Sequence, residues 1–334
     1  MRFKNILYAA AAAMALTACS SDDEQGFVSQ FPEDGVMRFT TNLVDPTIAT
    51  TRASITSSDV NQTGQQFQVK IVNPASATYS YFNTVQHDGT ECTPYTRMLW
   101  QNNTQAITVT AAYKQGKTFS DYDFIVGANL TVAADQSTEA KLKQQDLLTM
   151  PTKTIANPSI EQTLMQNGKL VINFYHALTK LDVTLELKDE FYPANIQASD
   201  ITEFTIKGTN AGYQFKAMET ANENYGTVTV TASTAADILA NQYNFTAGTA
   251  ESKHSTAKYE AIIVPQTIAA GQLTVSFKIG NRSFSWTNTQ AYTLEQGKKY
   301  TLPLTVGNNG VTAGVRGFTA SYWEDQPGDN LGTE

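Results

Sequence analysis

The sequence predicts an all-β protein built as two tandem β-sandwiches with little helix. Short period-2 stretches rich in Thr, Val, Tyr and Phe recur along the chain, which is the alternation of half-buried strands. Clusters of Asn, Gly, Asp and Pro separate them and supply the turn chemistry that strands need. No repeat at a fixed short period is visible, which argues against a solenoid or propeller. A chain of 334 residues is long enough for two cores.

In chain order, Arg2 and Lys4 precede the apolar run ILYAAAAAMAL, residues 6–16, and small residues follow. That is the pattern of a secretory signal over residues 1–18. The run is well short of the roughly 20 residues that a permanent membrane-spanning helix requires. Leu16-Thr17-Ala18-Cys19 closes it and resembles a bacterial lipobox, which predicts acylation of Cys19 and a lipid anchor. Ser20 after the cysteine points to the outer membrane. Residues 19–35, with Asp22, Asp23 and Glu24, read as a flexible tether.

The first strand is expected at 36–44, where Met37, Phe39, Thr41 and Leu43 alternate with Arg38, Thr40 and Asn42. Similar alternation predicts strands at 66–72, 106–113, 181–187, 203–208, 226–232, 259–265 and 273–279. In 181–187 the expectation is that Leu181, Val183, Leu185 and Leu187 face inward while Asp182, Thr184 and Glu186 face water. A helix is expected over 137–149 with Ser137 as its cap, and a weaker one over 233–242. The two prolines and the terminal Asn-Gly of residues 151–168 read as a connection. This puts an N-terminal sandwich at 36–168 and a C-terminal one at 169–334.

Composition excludes several classes of function. The net charge of −8, with Lys and Arg scattered singly, leaves no basic stripe for nucleic acid. After lipidation of Cys19 only Cys92 remains of two cysteines, so no internal disulfide forms, and Cys92 reads as a small buried hydrophobe. His87, His176 and His254 stand apart, without the spacing of metal ligands, so no cofactor or metal is expected. His176 reads as a hydrogen-bonded structural histidine. His254 and Ser255 lie in a polar turn without an orienting acid, and no nucleophile elbow or phosphate loop is present. The chain therefore reads as a non-enzyme. Trp100, Trp286 and Trp323 could form a sugar-stacking platform, which keeps a glycan-capturing surface lipoprotein as the alternative, although core packing suits Trp100 and Trp286 better.

Taken in order, several segments resemble the fimbrillin family, the subunits and accessory proteins of type V pili in anaerobic Gram-negative bacteria. They are the lipobox Cys19, TTRAS (50–54), Trp100 followed by AITVTAAY (106–113), and DLLTM (146–150). VINFYHALTKLDVTLEL (171–187), IIVPQTI (262–268), LEQGKKYTLPLTV (294–306) and the late Trp323 complete the set. TGQQFQVKIV (63–72) departs from the family's Gly-Asp-x-Ile-Gly-Val-like stretch. The resemblance implies two transthyretin-like sandwiches and cleavage between Arg52 and Ala53 by an Arg-specific protease. It also implies loss of the strand carrying Met37, Phe39 and Leu43, and assembly with other pilus subunits by strand addition. The donor candidates are Val311, Ala313, Val315, Phe318, Ala320 and Tyr322.

Overall fold

The structure, a computed structural model, describes residues 29–44, 55, 57–116, 126–217, 226–231, 235–314 and 317–323. The N-terminal strands are β1 (Phe39–Leu43), β2 (Gln66–Val72), β3 (Tyr81–His87), β4 (Cys92–Pro94) and β5 (Ile107–Lys114). They are followed by β6 (Val126–Thr131), β7 (Leu147–Ile155), β8 (Met165–Gln166) and β9 (Lys169–His176). Two short helices lie among them, α1 (Ser57–Val60) and α2 (Glu139–Lys143).

Strands β1, β4, β3, β2, β5, β7 and β9 neighbour one another in that order, and β1 also pairs with β9, so seven strands run round one core. Closure depends on β1. It runs parallel to β9 from Phe39↔Leu170 to Leu43↔Phe174 but meets β4 only at Phe39↔Cys92. Inside lie Phe67, Val69, Ile71, Val109, Ile172 and Phe174, each at most 2% exposed.

The second unit begins at β10 (Thr179–Leu187) and continues with β11 (Ile201–Asn210), β12 (Gly212–Lys216), β13 (Thr227–Val230), β14 (Ala235–Leu239) and β15 (Asn241–Thr246). Then come β16 (Ser255–Ile263), β17 (Gln266–Ile268), β18 (Thr274–Ile279), β19 (Arg282–Thr287) and β20 (Tyr292–Leu294). The last are β21 (Lys298–Gly307), β22 (Gly310–Ala313) and β23 (Thr319–Tyr322). One sheet has the order β15-β16-β10-β21-β22, with β23 also on β21, and another has the order β14-β11-β18-β19. Their shared core holds Leu181, Val183, Leu185 and Leu187, all fully buried. Phe204 stacks on Tyr259 in it at 3.8 Å between ring centroids.

Several expectations from sequence need correction. Asn167 (φ 51°) and Gly168 (φ 75°) form the two-residue turn of the β8–β9 hairpin, since both positions need φ > 0. Residues 169–176 thus belong to the first sheet, and the sheets change over at the buried Ala177 and Leu178. Strand β6 pairs with β12 of the later half. The 151–168 stretch is not wholly connection, because β7 runs through Ile155. Its Pro151 falls where the register on β5 shifts between Val109 and Ala111, and a bulge is where a strand tolerates proline.

The helix expected over 137–149 is only α2, capped by Thr138 rather than Ser137. Pairing with β5 claims the chain from Leu147 onward. Residues 235–239 are strand, laddered to β11, so tertiary pairing overrides local helix propensity there. Asp182 does not face water: it is buried and accepts hydrogen bonds from the Tyr243 hydroxyl. The tether is also shorter than expected. Phe31 packs on Trp100 at 5.9 Å, and Gln30 Oε1 accepts from the Asn167 amide at 2.7 Å.

Candidate functional site at the terminal strands

Because strand side chains alternate across the pleat, Met37, Phe39 and Leu43 all point into the ring, at 1%, 1% and 4% exposure. Phe39 meets Phe67 edge-on at 6.4 Å, and Phe67 meets Phe174 at 5.6 Å. The chain enters β1 through a short ladder in which Met37 N donates to Met98 O at 3.0 Å and Trp100 N donates to Gly35 O at 2.9 Å. Arg38 holds the same stretch from outside by donating to both Asp34 oxygens, at 2.9 and 2.6 Å.

Between the Val36↔Leu99 bridge and the Phe39↔Cys92 pair the seam of β1 with β4 is open. A cavity of about 280 Å³ occupies it, lined by Met37, Phe39, Cys92, Pro94, Arg97 and Lys169. Cys92 is buried as expected, and that burial pushes its thiol up to about 11. One flank of β1 is thus fully laddered and the other nearly free.

After β1, Val44 N donates to Phe174 O at 3.0 Å, and Ile55 is again fully buried in the same core. Arg52 and Ala53 fall between these two anchored points, outside the described residues, as do Cys19 and Val315. Ile55 escaped the sequence reading because no alternation marks a single buried residue.

At the other end of the chain, the remaining donor candidates pair within their own sheet. Val311 and Ala313 lie in β22 opposite Val306 and Leu304, whereas Ala320 and Tyr322 lie in β23 opposite Tyr300 and Lys298. Phe318 meets Tyr292 edge-on at 4.5 Å. Trp323 is buried, stacked on His176 with ring centroids 4.2 Å apart. His176 is held in turn by Asp146 Oδ2 at 2.8 Å. This polar cluster was invisible in sequence, since residues 146, 176 and 323 meet only through the sheets.

The other histidines do not build a catalytic site. His87 is buried and accepts from the Gly89 amide at 2.9 Å. His254, read from sequence as lacking an acid, has two: Glu186 at 2.6 Å on Nδ1 and Asp189 at 2.5 Å on Nε2. The hydrogen bond with Glu186, aided by Asp189, raises its pKa and favours an ion-paired imidazolium rather than a free base. Ser255 Oγ accepts from the Gly248 amide. Among the described residues no group of three His, Cys, Asp or Glu side chains is placed to hold a metal, and no helix is long and apolar enough to cross a membrane.

The fimbrillin-like family model matches residues 51–323. Among solved structures, a candidate cell adhesion protein from Bacteroides uniformis superposes with a TM-score of 0.57 at 16% identity, over 87% of this chain and 100% of that one. Another from Bacteroides ovatus has a TM-score of 0.55 at 14% identity, over 87% and 97%. A fimbrial protein from Bacteroides vulgatus has a TM-score of 0.47 at 15% identity, over 86% and 99%. No curated protein matches in sequence. The likeness to the first two shows a shared fold, and the match along most of its length shows that the chain belongs to the fimbrillin-like family.

Proposed function

We propose that the chain is a subunit of a surface pilus, exported as a lipoprotein through Cys19 to the outer membrane. An Arg-specific protease then cuts between Arg52 and Ala53, and β1 leaves. The vacated groove takes an extended strand from another subunit, so the partners are other pilus subunits, the protease and the membrane.

One observation carries this reading: among the described strands β1 is the one that joins β4 to β9 and closes the first ring, and it does so with a buried apolar face. Each of Met37, Phe39 and Leu43 is worth about 1.5–3 kcal/mol of burial. An emptied groove would expose that surface and the unpaired edge of β9, a strong template for strand addition. The donor would come from Val311, Ala313, Val315, Phe318, Ala320 and Tyr322, after β22 and β23 peel from β21. The glycan-binding alternative draws less support, since Trp100 and Trp323 are buried and Trp286 is half-buried, leaving no tryptophan platform.

Treatment of the full chain with an Arg-specific protease should cut after Arg52 and produce self-association on size exclusion. A peptide spanning 311–323 should inhibit that association, and Arg52→Ala should stay monomeric. A chain cleaved at Arg52 that remains monomeric at high concentration would sink the strand-exchange reading.

A further inference from the structure

Strand β9 pairs with the first strand and, through His176, stacks on Trp323, the residue that follows the last. On one edge it carries the whole parallel ladder to β1. On the other it meets β8 at Lys169 and Leu170 and β7 at Tyr175 and His176. Among the described pairings, Ile172–Phe174 are therefore laddered only to β1. Two residues beyond Phe174 comes His176, whose ring is the platform for Trp323.

Trp323 anchors the far end of β23. Its ring lies parallel to the imidazole, within 1°, with Lys180 Nζ 5.8 Å from its centroid. Its amide donates to Gly297 O at 3.0 Å, and the Gly297 amide donates to Leu178 O at 3.0 Å, so its main chain also ends on the β9–β10 junction. The strand it holds is laddered to β21 along its length, but Thr319 and Ala320 are exposed, so its apolar hold comes from Phe318 at the near end and Trp323 at the far one.

We propose that β9 is a transmission strand, which couples loss of β1 to release of β23 through the His176–Trp323 stack. With β1 in place, the ladder fixes β9 and the imidazole is presented to Trp323. Once β1 is gone, Ile172–Phe174 lose their ladder, and His176, still paired with β7 and held by Asp146, is left at the end of a slackened strand, so the stack weakens and the tail loosens. A chain still holding its first strand then keeps its own tail docked. The use of this coupling in assembly rests on the strand-exchange reading, but the coupling itself is a property of the uncut monomer. It is a linkage between two sites through one element with two states.

The test is native-state hydrogen exchange on the uncut full chain, with Phe39→Ala to weaken β1 and Trp323→Ala to remove the latch. Phe39→Ala should raise exchange at residues 170–176 and also at 319–322, by about tenfold or more, and leave 310–313 unchanged. In Trp323→Ala the 319–322 amides should exchange fast already, and adding Phe39→Ala should change them no further. If Phe39→Ala unfolds the first unit, the milder Leu43→Val replaces it in the same comparison. Faster exchange at 170–174 with wild-type protection at 319–322 would overturn the coupling. Self-association after cleavage at Arg52 is read separately, so either idea can fail while the other stands.

Discussion

The first and last strands of the described chain are nearly the same length and are attached in opposite ways. β1 runs parallel to β9 and buries Phe39 and Leu43 at 1% and 4% exposure inside the first ring. β23 lies antiparallel on β21, with Thr319 and Ala320 open to solvent and an aromatic anchor at each end. β1 adds a buried apolar face to its main-chain ladder, whereas β23 adds to its ladder only the flanking rings of Phe318 and Trp323. A strand of the first kind leaves a groove that demands refilling when it goes. One of the second kind is the strand that the strand-exchange reading would use as donor.

Side-chain truncation should separate the two strands. Phe39→Ala removes a fully enclosed ring and should cost about 3–5 kcal/mol, seen as a lower urea midpoint for the first unit. Phe318→Ala removes a half-buried ring from the tail's near end. It should cost only about 1–2 kcal/mol, since part of that ring already faces water. Equal losses from the two substitutions would erase the distinction drawn here.

The turn that presents β9 to β1 gives the next effect in size. Gly168 has φ 75°, and a methyl group placed there would meet nothing closer than Gln30 O and Pro32 Cβ, both at 3.9 Å. Gly168→Ala therefore tests backbone conformation rather than crowding. It should cost about 1–2 kcal/mol, the penalty for an L-residue held in the left-handed region. Thermal unfolding checks it, and an unchanged midpoint would mean that the hairpin does not set the register of β9.

These sites differ in how far the sequence disclosed them. The alternation of 37, 39, 41 and 43 and of 181, 183, 185 and 187 is a local property, and the structure keeps both inward faces. Asn167-Gly168 was visible as a turn, but a turn signal does not say whether it closes a hairpin or separates two units. The parallel pairing of β1 with β9 joins segments 131 residues apart (Phe39 with Leu170), and nothing local encodes such a partner. Charged residues in the interior are illegible for the same reason. Lys180 and Glu260, 2.5 Å apart, are buried because each finds the other across the sheet, just as Asp182 finds Tyr243. Ala235–Leu239 has helix-forming composition and becomes strand only because β11 lies alongside.

The smallest effect contrasts the approach to β1 with the second unit through pH. At Asp34 the hydrogen bonds from Arg38, together with the Val36 amide, hold the carboxyl well below the usual carboxylate range. A carboxyl depressed in the folded state stabilises it above its unfolded pKa of about 4, and that contribution fades as pH falls through the folded value. His254 has the opposite sign. Its pKa is raised, mainly by the hydrogen bond with Glu186, so its contribution is complete below about pH 6.5 and is lost as pH rises through the folded value. Both groups face solvent, so the effects are small and fade with added salt. Acid should therefore loosen residues 36–39 first, whereas mild alkali should loosen the contact of His254 with residues 186–189. Asp34→Asn should abolish the first response and His254→Gln the second, read as amide exchange or chemical-shift titration in each segment. Acid loosening of 36–39 that persists unchanged in Asp34→Asn would show that the approach to β1 is held by its ladder alone.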